Sequence, residues 1–208
     1  MPVRLAAAAA AGLLVLAGSA QAQALAQAQS EIQAPDVLVK SVTLEVVDLI
    51  RQDKDIQAGD RKKVIALIET KVLPHFNFQA MTASAGGRNW DKASAEQKAR
   101  LMDEFRTLVV RTYASALAAY SGQKFDFRPL RAKPTDTDVT VYVRVLQSGA
   151  QPVQIDYEME KRPGGWKVWD VRVAGISLGV NYRTEFDNQV REAGLEGLIK
   201  ALQEKNRS

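Results

Sequence analysis

The hydrophobic period of this chain switches from that of helices to that of strands, and the turns after the switch leave little choice of topology. From Val139 to Val145, valines at every second position alternate with Thr140, Tyr142 and Arg144, the repeat of a strand with one buried face. Ser148-Gly149 supplies a turn, after which Val153, Ile155, Tyr157 and Met159 alternate with Gln154, Asp156 and Glu158. Pro163-Gly164-Gly165 turns the chain again into a strand from Trp166 to Val173. Turns this short force antiparallel pairing, because a parallel pair needs a crossover of about a dozen residues or more. Phe125 to Pro129 predicts a further edge strand.

Helical period flanks this meander on both sides. Pro35 and Asp36 open a helix carrying Val42, Val46, Leu49 and Ile50 that runs down near Asp53. Asp60 is an N-cap for a second helix with Val64, Leu67 and Ile68, stopped by Pro74. Gly86-Gly87 breaks the next stretch, and Ser94 with Gln97 forms a capping box at the start of the longest helix. Along that helix Leu101, Phe105, Leu108, Val109, Tyr113, Leu117 and Tyr120 recur on one face, and Gly122 is its expected end. After Gly175 the helical period returns at Tyr182, Phe186 and Val190, breaks at Gly194 and resumes with Leu195, Leu198, Ile199 and Leu202. The expected fold class is therefore α+β, with helices packed on a mainly antiparallel sheet.

The N-terminus reads as an export signal. Arg4 precedes an apolar stretch from Leu5 to Leu16, and small residues continue through Ala24. The stretch is shorter than the ~20 residues of a spanning helix, and Ala20-Gln21-Ala22 fits a signal-peptidase site, with Ala22-Gln23-Ala24 as the alternative. The expected organisation is a signal peptide over 1–22, a flexible leader over 23–34 and one domain over 35–208. A formal charge of +4, without a dense basic run, suits a soluble chain and equally an anionic partner surface, and offers no nucleic-acid motif.

Composition narrows the chemistry further. None of the 208 residues is cysteine, and His75 is the single histidine. Disulfide frameworks, thiolate metal sites, cysteine nucleophiles and multi-histidine metal centres are thereby excluded within one chain. Gly175-Ile176-Ser177-Leu178-Gly179 has the form of a nucleophile elbow, but no histidine follows Ser177, and an elbow belongs to a parallel βα sheet, not to hairpins. Its glycines read instead as the turn from the last strand into the last helix. His75, beside Pro74, reads as a helix-end residue, Asp136 and Asp138 as turn residues, and Asp156 with Glu158 as a solvent-facing pair.

What remains is a surplus of large apolar side chains. The long helix offers Phe105, Leu108, Val109, Tyr113 and Leu117; the sheet offers Val141, Val143, Val145, Ile155, Tyr157, Trp169 and Val171. Periodicity alone does not separate a filled core from an apolar cavity between sheet and helices. A resemblance bears on that choice. Pro74-His75-Phe76-Asn77-Phe78 with Met81, Trp90, Arg111-Thr112-Tyr113, Tyr120, Pro129, Tyr157, Trp166-Lys167-Val168, Asp170-Val171, Gly175-Ile176-Ser177-Leu178 and Asn181-Tyr182-Arg183 with Phe186 resemble the MlaC or toluene-tolerance family of periplasmic phospholipid carriers. The resemblance runs from about Pro35 to the C-terminus. It departs at Asn77, where the family pattern has an acid, and at Ala174, where it has a glutamate.

The resemblance implies a curved sheet and helices enclosing an apolar lipid pocket. It implies a carrier that shuttles glycerophospholipid between outer and inner membranes and maintains outer-membrane lipid asymmetry. The expected cargo is the phospholipid itself, with no cofactor, no metal and no catalytic step. The expected partners are an inner-membrane ABC transporter complex with an MCE-domain subunit and an outer-membrane lipoprotein–porin complex, the carrier being a monomer. Phe105, Val109, Tyr113, Val141, Val143, Val145, Ile155, Tyr157, Trp169 and Val171 are the candidate lipid contacts, with Ile176 and Tyr182 near the mouth and Arg183 as the headgroup candidate. The cavity is expected near the upper end of ligand sites, ~1,000 Å³. The alternatives are an ester hydrolase using Ser177 and an adaptor whose apolar residues fill an ordinary core.

Overall fold

The computed structural model describes residues 32–120 and 122–207. The predicted signal peptide and most of the predicted leader lie outside the described residues. Residues 35–208 form one compact unit. Its helices are α1 (Pro35–Gln52), α2 (Lys54–Gln57), α3 (Arg61–Leu67), α4 (Phe78–Gly86), α5 (Arg88–Lys92), α6 (Ala95–Ala118) and α7 (Leu178–Arg207). Its strands are β1 (Lys124–Phe127), β2 (Asp138–Leu146), β3 (Val153–Arg162), β4 (Gly165–Val173) and β5 (Ile176–Ser177). The strands make one open sheet in the order β1-β2-β3-β4-β5, every neighbour antiparallel, as the short turns require. The α+β reading thus describes the molecule.

Local chemistry sets the helix ends. Asp60 caps α3 by accepting from the Lys62 and Lys63 amides at 2.9 and 3.1 Å. The capping box of α6 is complete, with Ser94 Oγ accepting from the Gln97 amide and the Gln97 side chain accepting from the Ser94 amide. Two boundaries differ from the sequence reading. Asp53 caps the four-residue α2, a helix too short to leave a periodic signal. The long helix ends at Ala118, not at Gly122, its last turn closed by Ala119 and Tyr120 amides on the Ser115 and Leu117 carbonyls. Past α3 the backbone widens into a π turn over Ile68–Val72 and a 3₁₀ turn over Leu73–His75, which accommodates Pro74. Gly194, at φ 70, kinks α7 where the period breaks.

Two apolar clusters hold the helices together. In one, Met81 and Ala85 of α4, Leu101, Phe105 and Leu108 of α6 and Tyr182, Phe186, Leu198, Ile199 and Leu202 of α7 pack into a filled core. In the other, Val46 and Ile50 of α1, Val64 of α3 and Ile68 meet Val110 and Ala114 on another side of α6. The sheet joins them through its inner face, on which Val141, Val143 and Val145 of β2, Ile155 and Tyr157 of β3 and Val171 and Val173 of β4 fall in register. The pairing of β3 with β4 slips between Glu158 and Met159, so that Asp170 sits opposite Glu158, Val168 sits opposite Met159, and Trp169 is the extra residue. This bulge is pinned from outside the sheet, because the Asn77 amide donates to the Val168 carbonyl at 2.7 Å.

Candidate functional site

Between the sheet and the helices lies a cavity of about 530 Å³. Its size falls within the ~300–1,000 Å³ of ligand sites but below the ~1,000 Å³ expected from the sequence. One wall is α1, whose Leu38, Val39, Val42, Thr43, Val46, Val47 and Ile50 face inward. Ile68, Val72 and Leu73 of the π and 3₁₀ turns continue it, followed by Phe76 and by Phe78 and Met81 of α4. A second wall is α6, through Val109, Val110, Tyr113, Ala116, Leu117 and Tyr120. The sheet closes the far side with Phe125, Val145, Val153, Ile155, Tyr157, Met159, Val168, Val171 and Val173, and Leu178 begins α7 at its border. Ala116 and Gln147 are the exposed lining residues, so the cavity meets solvent beside the C-terminal half of α6 and beside the β2–β3 connection.

The predicted contact residues divide. Val109, Tyr113, Val145, Ile155, Tyr157 and Val171 lie on the cavity wall. Val141 and Val143 share the inner face with Val145 but are 2% and 1% exposed and stop short of the wall, β2 being packed against α1. Phe105 and Tyr182 belong to the filled helical core, where the Phe105 ring meets Tyr182 edge-on at 5.1 Å and Phe186 at 5.3 Å. Trp169 is displaced by the bulge, because the extra residue shifts the alternation of β4 by one position. It lines a separate surface groove with Arg128, Arg131, Asp136, Asp138 and Tyr142. Ile176 does not line the cavity and is 60% exposed. Arg183 is engaged, its Nε and Nη2 donating to the Ser84 carbonyl at 3.0 and 2.6 Å, where it closes the last turn of α4.

The contribution of α1 was missed by sequence reasoning, although the signal is present. Apolar side chains in adjacent pairs at Leu38-Val39 and Val46-Val47 make a stripe broader than one helix contact uses. The inward Phe76, Phe78 and Met81 also stand in the motif that carries the resemblance.

Charge is nearly absent from the wall. The Tyr157 phenol is pushed up to about 12 by burial, and Tyr113 is raised, by burial first and by Tyr182 second, so both hydroxyls stay protonated near neutrality. His75, the one cationic candidate, has its pKa lowered by burial and then by the nearby Lys167 ammonium, which keeps the imidazole neutral there. Such a surface removes apolar cargo from water and offers few directional contacts. Among the described residues no cluster of His, Asp or Glu is placed to hold a metal ion. Ser177 is the N-cap of α7, its Oγ accepting from the Val180 amide at 3.0 Å. Asp170, 2% exposed, accepts from the Gly179 amide at 3.1 Å beside it. The G-x-S-x-G stretch is thus a hairpin turn followed by a capped helix start, with the hydroxyl spent on the backbone.

Comparison with known proteins agrees with this geometry. The model of the MlaC protein family matches residues 40–204. The intermembrane phospholipid transport system binding protein MlaC of Haemophilus influenzae is 23% identical over 82% of this chain and 81% of its own. Toluene tolerance protein ttg2D of Pseudomonas putida is 23% identical over 78% of this chain and 75% of its own. Among solved structures, a phospholipid-binding protein of Ralstonia solanacearum, determined in complex with a phospholipid, is 36% identical. It superposes with a TM-score of 0.79 over 84% of this chain and 98% of that one. The family model alone spans most of the described unit, and the chain belongs to the MlaC protein family.

Proposed function

We propose that this chain is a periplasmic carrier that holds glycerophospholipid with its acyl chains in the cavity and its headgroup outside. In this reading it is exported by cleavage after the apolar stretch at residues 5–16, moves lipid between the outer and inner membranes and sustains outer-membrane lipid asymmetry. It exchanges cargo with an outer-membrane lipoprotein–porin complex and with an inner-membrane ABC transporter carrying an MCE-domain subunit. It needs no cofactor and performs no covalent step. The observation that carries the proposal is the apolar cavity of about 530 Å³ between sheet and helices, in a chain similar to a protein solved with phospholipid bound.

The energetics favour such a device. Exposing a methylene to water costs about 0.8 kcal/mol, so two chains of ~15 methylenes cost on the order of 24 kcal/mol. Unassisted crossing of an aqueous compartment is negligible at that cost. Valine, leucine and aromatic contacts offset most of it, leaving transfer between membrane and carrier near balance. The occupation of Ser177 as a helix cap supports a carrier over the hydrolase reading, and the cavity supports it over the adaptor reading.

The test is solvent extraction and mass spectrometry of the purified protein beside an Ile155→Trp and a Val171→Trp variant. Each indole would fill part of the cavity from a different strand. The expected result is co-purified phospholipid in the parent chain and a severalfold loss in both variants with folding retained. Equal lipid content in folded parent and variants would overturn the proposal.

A further inference from the structure

The exposed edge of the cavity is bordered by neutral polar groups, and an arginine is bonded to one of them. Ala116, an exposed lining residue of α6, is followed about one helical turn later by Tyr120, which also lines the cavity. The ladder between β1 and β2 starts at the Lys124–Leu146 pair, and one step further out stand Gln123 and Gln147, both lining residues. Arg51, in the last turn of α1, joins this border from the helix side. Its Nη2 donates to the Tyr120 hydroxyl at 2.9 Å, and its guanidinium carbon lies 5.6 Å from the centre of the Tyr120 ring. That hydroxyl in turn donates to the Gln123 carbonyl at 3.2 Å, so the phenol is fixed between helix and strand and holds the arginine beside the opening.

The charge of Arg51 is not spent within the chain. A guanidinium has five N–H donors; among the described residues this one makes a single hydrogen bond, to a neutral oxygen, and no ion pair. The acids around it are engaged elsewhere or out of reach. Asp53 and Asp55 are held by Lys63 at 3.0 and 2.7 Å, and Glu45 by Lys71 at 2.6 Å. Asp126 of β1 bonds Arg144 at 3.0 Å and alternates onto the sheet face opposite Phe125. Asp48, exposed and one turn back in α1, makes no ion pair with Arg51. Two other cations provide a contrast. Arg183 donates twice to the Ser84 carbonyl. Lys40 lies 6.0 Å from the Phe127 ring, eleven residues and ~16 Å before Arg51 along α1, over a ring that does not line the cavity.

We propose that Arg51 binds the phosphodiester of the lipid headgroup, with Tyr120 positioning it and the exposed Gln147 adding a neutral donor from the strand side. Apolar walls fix how deep the acyl chains sit but do not distinguish a phospholipid from any other diacyl lipid. A guanidinium with unspent donors at the opening supplies that distinction, because its planar fork matches two oxygens of a phosphate. Its hold on Tyr120 costs it no charge, since the partner is a hydroxyl and not a carboxylate. The inference rests on the carrier reading and adds which part of the cargo is recognised by charge.

The experiment offers the delipidated protein phosphatidylglycerol and diacylglycerol with the same acyl chains and measures the affinity for each, with thermal melts to establish folding. Arg51→Gln is expected to bind phosphatidylglycerol about fivefold more weakly than the parent and diacylglycerol equally well. Arg51→Lys is expected to recover part of the difference, and Lys40→Gln to match the parent with both lipids. Phosphatidylglycerol affinity unchanged in folded Arg51→Gln, or an equal loss for both lipids, would overturn the headgroup contact, the second result marking a packing role at Tyr120. Inorganic phosphate alone is expected not to bind the delipidated parent in calorimetry; binding that Arg51→Gln abolishes would assign the residue to a free anion and overturn the proposal in that way. A parent that takes up both lipids with equal affinity keeps the carrier reading and overturns the headgroup contact alone. A parent that takes up neither overturns both.

Discussion

Asn77 serves three neighbours at once. Its Oδ1 accepts from the Ala80 amide at 3.1 Å as the N-cap of α4, its own amide bonds the Val168 carbonyl at the bulge, and its side-chain amide donates to Glu160. An aspartate would cap equally well but set a second carboxylate against Glu160. Asn77→Asp is therefore expected to lower stability by about 1–2 kcal/mol at neutral pH, with the loss shrinking as one carboxyl protonates; urea titrations at neutral and acid pH measure it. Ala174, at φ 51, occupies a position that favours asparagine or glycine. Ala174→Asn is expected to stabilise by roughly 0.5–1 kcal/mol in the same titration, by relieving left-handed strain. His75 adds a pH dependence with a definite sign. Its pKa in the folded chain lies below the ordinary 6.5, so in the window below that value the unfolded chain binds the proton more readily. Stability from this group is complete above the window and is lost as pH falls through it. His75→Gln is expected to flatten that part of a denaturation-midpoint profile.

At the scale of elements, Ser177 and Asp170 together start α7, and they separate a structural serine from a chemical one. Ser177→Ala is expected to cost about 1 kcal/mol of stability, the usual loss of an N-cap, and to leave co-purified lipid unchanged; thermal melts and lipid extraction together check both halves. Caps of this kind were legible in advance. Asp60 and the Ser94–Gln97 box stand in sequence where the helices begin, because capping is a local bond between residues two or three positions apart. The strands were legible for the same reason, their alternation being a two-residue property. The bulge was not. Nothing in Trp166 to Val173 marks Trp169 as the extra residue, since the slip is held by Asn77, far away in the chain, and it turned the expected inward tryptophan outward. Phe105 and Tyr182 were misplaced by a related ambiguity. Periodicity identifies the buried face of α6 and α7 but does not say whether that face meets another helix or a void, and α6 does both, with Phe105 toward α7 and Val109 toward the cavity.

At the scale of the whole molecule, the filled core of α4, α6 and α7 adjoins the space enclosed by α1, α6 and the sheet, with Phe78, Met81 and Val109 belonging to both. By the mutational scale of ~24 cal/mol per Å³, an enclosed void of 530 Å³ corresponds to roughly 13 kcal/mol. That upper bound is comparable with the ~5–15 kcal/mol that holds a typical domain together. The delipidated chain is therefore expected to melt at lower temperature than the loaded one, and adding phospholipid at about 100 times its dissociation constant to restore about 2.7 kcal/mol; scanning calorimetry before and after extraction decides this. The nearly uncharged wall has one further consequence. A site that recognises its cargo by volume and greasiness asks no single side chain for a unique hydrogen bond. Valine, isoleucine, leucine and methionine can replace one another there while total volume is kept. Such a wall sets few fixed positions as sequences diverge, and relatives 23% identical to this chain can keep an apolar wall without keeping its letters.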